Sequence, residues 1–142
     1  MEEVWKPVLN YENYYLVSNL GRIRSLYRDI IMNPTLHKKT GYYQVGLRKP
    51  NNKRVTASVH RLVAEVFCEK REGCDVVNHL NGVKTDNSSK NLEWTTKSEN
   101  EKHAVKLGLR SDCVGERNFS NKLTEEQVVL ILKNSDNKTD KE

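Results

Sequence analysis

The chain has 142 residues, 36% of them apolar, and a formal net charge of +5. Such a length allows one domain or two very small ones around a thin core. No run approaches the roughly 20 apolar residues that cross a bilayer, and Glu2 and Glu3 stand where a secretory leader would be basic, so a soluble, cytoplasmic protein with no membrane partner is expected.

Cys68, Cys74 and Cys113 are odd in number and form no Cys-x-x-Cys pair, which argues against a disulfide framework and a structural zinc finger and leaves free thiols. The charge is unevenly spread. Between Arg22 and Arg61 lie ten basic residues, at 22, 24, 28, 38, 39, 48, 49, 53, 54 and 61, against the single acid Asp29. Such a stretch attracts phosphate backbones and anionic surfaces.

Short aromatic or β-branched runs open the chain: Val4-Trp5, Tyr14 to Val17, Ile23 to Leu26, Tyr42 to Leu47 and Val55 to Val59. Asn19, Gly21, Gly41 and the Pro50-Asn51-Asn52 turn separate them, which predicts antiparallel strands. Arg22, Arg24 and Arg28 alternate on one of these, so their side chains should share a face. From Val59 to Phe67 the apolar residues fall at helical spacing, with His60, Arg61 and Glu65 off the stripe.

After a polar link at 69–73, Val76-Val77 reads as a strand leading into Asn78-His79. Asn81-Gly82 gives a tight turn, and Leu92 to Trp94 gives the return strand. Thr96 and Glu99 have the spacing of a capping box, predicting a helix from Lys97 to Lys106 that Gly108 ends. A second such pattern, Thr124 to Gln127, opens a short helix to about Lys133, and Asn134 to Glu142 should be disordered. The fold class is therefore α+β: a small antiparallel β unit at 1–56, a strand–loop–strand–helix unit at 57–108, and a linker, short helix and tail at 109–142.

Phosphodiester hydrolysis needs a base to generate hydroxide, a hard cation to offset phosphoryl charge, and oxygen ligands for that cation. Asn78-His79 at a strand end, Asn91, and Asn100 with His103 on one helix face can supply these groups. Because strand side chains alternate, Asn78 and His79 face opposite ways unless the backbone breaks between them, and such a break is expected. An Asn ligand suits Mg²⁺ or Mn²⁺, whereas His103 favours a transition metal; spacing does not choose between them.

Three segments carry a resemblance: Val59-His60-Arg61-Leu62-Val63-Ala64-Glu65-Val66-Phe67, Val77-Asn78-His79-Leu80-Asn81-Gly82, and Asn91-Leu92-Glu93-Trp94 through Asn100 and His103. Together they resemble the HNH module of phage and intron-encoded homing endonucleases. Trp5-Lys6-Pro7 through Ser18-Asn19-Leu20-Gly21-Arg22-Ile23-Arg24-Ser25 resembles the small DNA-contacting module often fused in front of that unit. Glu116-Arg117-Asn118 with Lys122 to Val128 resembles the opening of a helix-turn-helix, of which only one helix is expected within these residues.

The resemblance implies a ββα-metal fold and a DNA endonuclease that nicks or cuts double-stranded DNA with one divalent ion, Mg²⁺ or Mn²⁺, as a monomer or homodimer. If phage-encoded, it would work in the host cytoplasm. It implies His79 as general base, Asn91 orienting His79 or bracing the loop, Asn78 and Asn100 as metal ligands, and His103 as a further one. His60-Arg61 matches a family signature suited to phosphate contact or bracing. DNA contact is expected from these two and from Arg22, Arg24, Arg28, Lys38, Lys39, Arg48, Lys49, Lys53 and Arg54. Many relatives carry Asp where Asn78 stands, so weaker metal affinity is expected. The alternative is a catalytically weak or inactive DNA-binding protein of the same fold.

Overall fold

The computed structural model describes residues 2–48 and 53–110. Lys49, the Pro50-Asn51-Asn52 turn, Cys113, the helix expected near 125–133 and the tail lie outside the described residues. The chain divides into two compact units, Met1–Ala104 and Val105–Glu142. Of the second unit only Val105–Arg110 is described, with Gly108 at φ +69°, the left-handed conformation that closes a helix.

Strands β1 (Trp5–Pro7), β2 (Tyr15–Ser18), β3 (Ile23–Ser25) and β4 (Ile30–Ile31) form an antiparallel sheet in chain order. A second antiparallel sheet comprises β5 (Thr35–Leu36), β6 (Tyr43–Arg48) and β7 (Arg54–Ser58). Alternation works as expected: Tyr15 and Val17 point inward from β2, and Val45 and Leu47 from β6. Strands β4 and β5 were not anticipated, because two residues are too few to show an alternating pattern.

Helix α1 (Val59–Phe67) buries Val59, Leu62, Val63 and Ala64. It packs against β2, β6 and β7 and also against the hairpin of β8 (Val76–His79) and β9 (Leu92–Thr95). The Trp94 indole donates to the Ala64 carbonyl at 3.1 Å, which ties β9 to α1 through a buried bond. Helix α2 (Lys97–Lys106) follows directly. Its capping box is reciprocal. The Glu99 N–H donates to Thr96 Oγ1 at 3.2 Å and the Thr96 N–H to Glu99 Oε2 at 3.0 Å. The backbone bond from Thr96, with those of the Thr95 and Thr96 hydroxyls, lowers the Glu99 pKa to about 2.

One apolar cluster joins Val8, just after β1, and Tyr15, Val17, Ile23, Val45 and Leu47 of the following strands to Val59, Val63, Val77, Leu92 and Trp94. The hairpin is thus held against the preceding sheets by shared burial, which fixes where its end residues project. Among the described residues no helix is long and apolar enough to cross a membrane. Cys68 and Cys74 are free thiols.

Candidate active site

The hairpin sets the site by register. Asn78 stands opposite Glu93 and His79 opposite Leu92, and the pairing runs unbroken through both. The expected break between Asn78 and His79 is therefore absent. The Leu80 N–H continues the pairing by donating to the Asn91 carbonyl at 2.8 Å, so the strand has no reason to end earlier. Asn78 and His79 accordingly serve opposite faces of the hairpin.

His79 is 5% exposed. Its ring stacks on Tyr42 with centroids 5.8 Å apart and lies 5.3 Å from that of His60. Nε2 is 3.4 Å from Asn87 Oδ1. An amide oxygen only accepts, so Nε2 carries the proton and the lone pair is on Nδ1, the state a base requires. Burial lowers the His79 pKa, opposed by the Asn87 bond and the charge of Asp86 and assisted by Lys84.

Asn91 does not contact His79 through a hydrogen bond of its side chain. Its Oδ1 accepts from the Asn81 N–H and its Nδ2 donates to the Asp86 carbonyl, both at 2.9 Å, which closes the loop between the strands. Of the two roles expected, its contacts are those of a loop brace. The side chain that hydrogen-bonds His79 is Asn87, which no spacing rule connects to position 79 because the intervening loop makes the approach.

On the other face, Asn78 Nδ2 donates to Glu93 Oε1 at 2.9 Å and lies 3.2 Å from His103 Nδ1. Asn100 sits three residues before His103 on α2 and shares its face. Glu93 was missed by the sequence reading; the cross-strand register of the hairpin is the signal that finds it. Among the described residues no group of three His, Cys, Asp or Glu could hold a metal ion. The Asn78 amide beside one carboxylate and one imidazole has the oxygen donor that would suit a hard divalent ion.

His60 corrects an expectation. It is 6% exposed, packs 4.4 Å from the Tyr42 ring, and leaves Nδ1 buried without a partner. It faces inward beside His79 and is not placed for a phosphate contact. Arg61, next in the chain, is exposed, with Nη2 3.5 Å from the Asp75 carbonyl.

The expected arginine row is also revised. Strand β3 ends at Ser25, so Arg28 lies in the following turn, over the Tyr27 ring, and does not continue the face of Arg22 and Arg24. Arg22 pairs with Glu3, its Nε donating at 2.7 Å, and Arg24 pairs with Asp29 at 2.6 Å. Lys38 and Lys39 are exposed between β5 and β6. Lys53 is exposed, and Arg48 stands directly opposite Arg54 across β6 and β7. Lys84, not anticipated, lies 5.0 Å from the Tyr42 ring that stacks on His79.

A hairpin carrying Asn-His at one strand end, closed by an Asn-braced loop and backed by a helix with Asn and His on one face, defines an HNH unit. Residues 57–102 match the family model for HNH endonuclease, and residues 3–48 match that for the NUMOD4 motif. The chain belongs to the HNH homing endonuclease family. It is 39% identical over 104 residues to the DNA endonuclease I-HmuI of Bacillus phage SP01, covering 73% of this chain and 59% of that one. It is 41% identical over 106 residues to the uncharacterized HNH endonuclease L245 of Acanthamoeba polyphaga mimivirus, covering 75% of this chain and 31% of the other. The chain thus spans less than two thirds of the length of these curated relatives. A solved structure of DNA binding and cleavage by the HNH homing endonuclease I-HmuI superposes with a TM-score of 0.68 at 35% identity, over 94% of this chain and 68% of that one.

Proposed function

We propose that this protein is a metal-dependent DNA endonuclease in which His79 is the general base. The observation that carries the reading is the buried His79 imidazole at the end of β8, held at Nε2 by Asn87, with Nδ1 free to take a proton. I-HmuI is named a DNA endonuclease and its structure is described as DNA binding and cleavage, which supports duplex DNA as the substrate here.

His79 Nδ1 removes a proton from water, and the resulting hydroxide attacks phosphorus as the P–O bond to the leaving oxygen breaks. Burial keeps the imidazole neutral at physiological pH, and the Asn87 bond fixes the tautomer and the ring plane. A Mg²⁺ or Mn²⁺ ion would offset charge on the phosphoryl and leaving oxygens. Asn78 and Asn100 are the residues that would hold it; although Asn78 and His79 serve opposite faces, they are consecutive at the end of β8, and a phosphate lying across that strand end would meet both. His103, whose Nδ1 is engaged by Asn78, braces that amide.

Residues 1–56 form the DNA-contacting module and 57–108 the catalytic one in this reading. Lys38, Lys39, Arg48, Lys53, Arg54 and Arg61 are exposed and suited to phosphate contact. Arg48 and Arg54 are cross-strand partners at the end of β6 and β7, which puts two cations on one stretch of surface suited to a DNA backbone. One site cuts one strand per binding event, so a monomer nicks and a dimer makes a double-strand break.

Supercoiled plasmid incubated with Mg²⁺ or Mn²⁺ should become nicked or linear, and excess chelator should stop this. Equal cutting in chelator would overturn the metal dependence. Salt-sensitive DNA binding without cutting in either metal would replace the reading with that of a non-catalytic DNA-binding protein.

A further inference from the structure

Asn78 is the weak point of a metal site built on the proposed function. Where a carboxylate would bring a negative charge, this chain has a neutral amide. The surroundings of that amide are not neutral. Glu93 is its direct cross-strand partner, and the Glu93 carboxylate accepts a hydrogen bond from Asn78 Nδ2 at 2.9 Å.

A carboxylate has no proton to give, so the amide must turn its nitrogen towards Glu93. The second N–H points to His103 Nδ1 at 3.2 Å. Both donors of Asn78 are thereby used, and the orientation of the amide is set by two partners on two different elements, β9 and α2. What remains is Oδ1, the only atom of the side chain that can ligate a cation. An amide whose N–H groups are held by a carboxylate and an imidazole is also polarised, with electron density shifted onto its oxygen.

We infer that Glu93 is a positioning residue for the metal site: through Asn78 it supplies the negative charge that position 78 lacks and presents Asn78 Oδ1 to the ion. The inference rests on the metal-dependent reading above. It accounts for how a chain with Asn at this position keeps a site competent for a divalent cation. Hydrogen-bonding partners behind a ligand typically change metal affinity by about 10–100-fold when removed.

The test is Mn²⁺ binding by the full chain without DNA, read by isothermal titration and by loss of the free-ion paramagnetic resonance signal. Glu93→Gln keeps a hydrogen-bond acceptor of the same shape and removes the charge; its Mn²⁺ affinity should fall by about 10–100-fold. The double variant Asn78→Asp with Glu93→Gln reverses the direction of the cross-strand bond and returns the charge to position 78. Its affinity should recover to that of the wild type, and near-ultraviolet circular dichroism should show all forms folded.

Wild-type affinity in Glu93→Gln would overturn the role of Glu93 while leaving the metal reading in place. So would a weakened Glu93→Gln that the double variant does not recover, since Glu93 would then be only a brace of the hairpin. Absence of Mn²⁺ binding at millimolar concentration in the wild type and in Asn78→Asp alike would overturn the metal reading, and this inference with it.

Discussion

Burial decides what His60 does. Its ring is enclosed by Tyr42 and His79, and burial, with the nearby charges of His79 and Arg61, lowers its pKa from 6.5 to about 4. The unfolded chain therefore binds a proton that the folded one refuses between those two values. The stabilisation is fully present above about pH 6.5 and is lost as pH falls towards 4. Allowing for partial solvent screening, the effect is on the order of 2 kcal/mol. His60→Phe keeps a ring in the space without a titrating group, so its urea midpoint should fall less than that of the wild type between pH 7 and pH 5. Parallel losses in the two proteins would show that His60 does not titrate on unfolding. The sequence placed His60 off the apolar stripe of its helix, which is correct for α1 alone. The cover comes from Tyr42 and His79, and helical spacing carries no information about either. Asn87 and Glu93 escaped for the same reason: loop closure and strand register bring them in.

The turn between β2 and β3 reaches the site at Gly21. It has φ +84°, and a Cβ there would lie 2.9 Å from Asn87 Cβ and 3.1 Å from the Asn87 carbonyl oxygen. The Ser89 N–H donates to the Asn19 carbonyl at 2.8 Å beside it. The first sheet therefore presses on the loop that holds His79 Nε2. Gly21→Ala should cost about 1–3 kcal/mol in backbone strain and should also slow DNA cleavage by displacing Asn87. Gly73, at φ +75° with nothing within 4 Å, provides the comparison. Gly73→Ala should carry the strain and leave the cleavage rate of the folded protein unchanged. Matching cleavage rates in the two variants, measured under conditions where both are folded, would dissociate the turn from His79. Both α-helices of the described residues were legible in the sequence, α1 from its apolar spacing and α2 from Thr96 and Glu99. The edge strands β4 and β5 were not, because they exist by pairing with β3 and β6 and not by their own pattern.

Within Met1–Ala104, the first strands and the β8–β9 hairpin share one core, so the basic residues and His79 are carried on a common frame. The charge excess was plain in the sequence, but its partition was not. Glu3 and Asp29 take up Arg22 and Arg24 through contacts that only the folded chain makes. Lys38, Lys39, Arg48 and Arg54 remain exposed, and the β6–β7 pairing makes Arg48 and Arg54 cross-strand partners. On this frame His79 is the residue whose loss should separate binding from chemistry. The most direct measurement is the single-turnover rate of plasmid nicking at saturating protein, wild type against His79→Ala, with DNA affinity measured alongside. Retained affinity with a rate lower by about 10²–10⁴ is the expected result for loss of a general base. An undiminished rate in His79→Ala would contradict the mechanism.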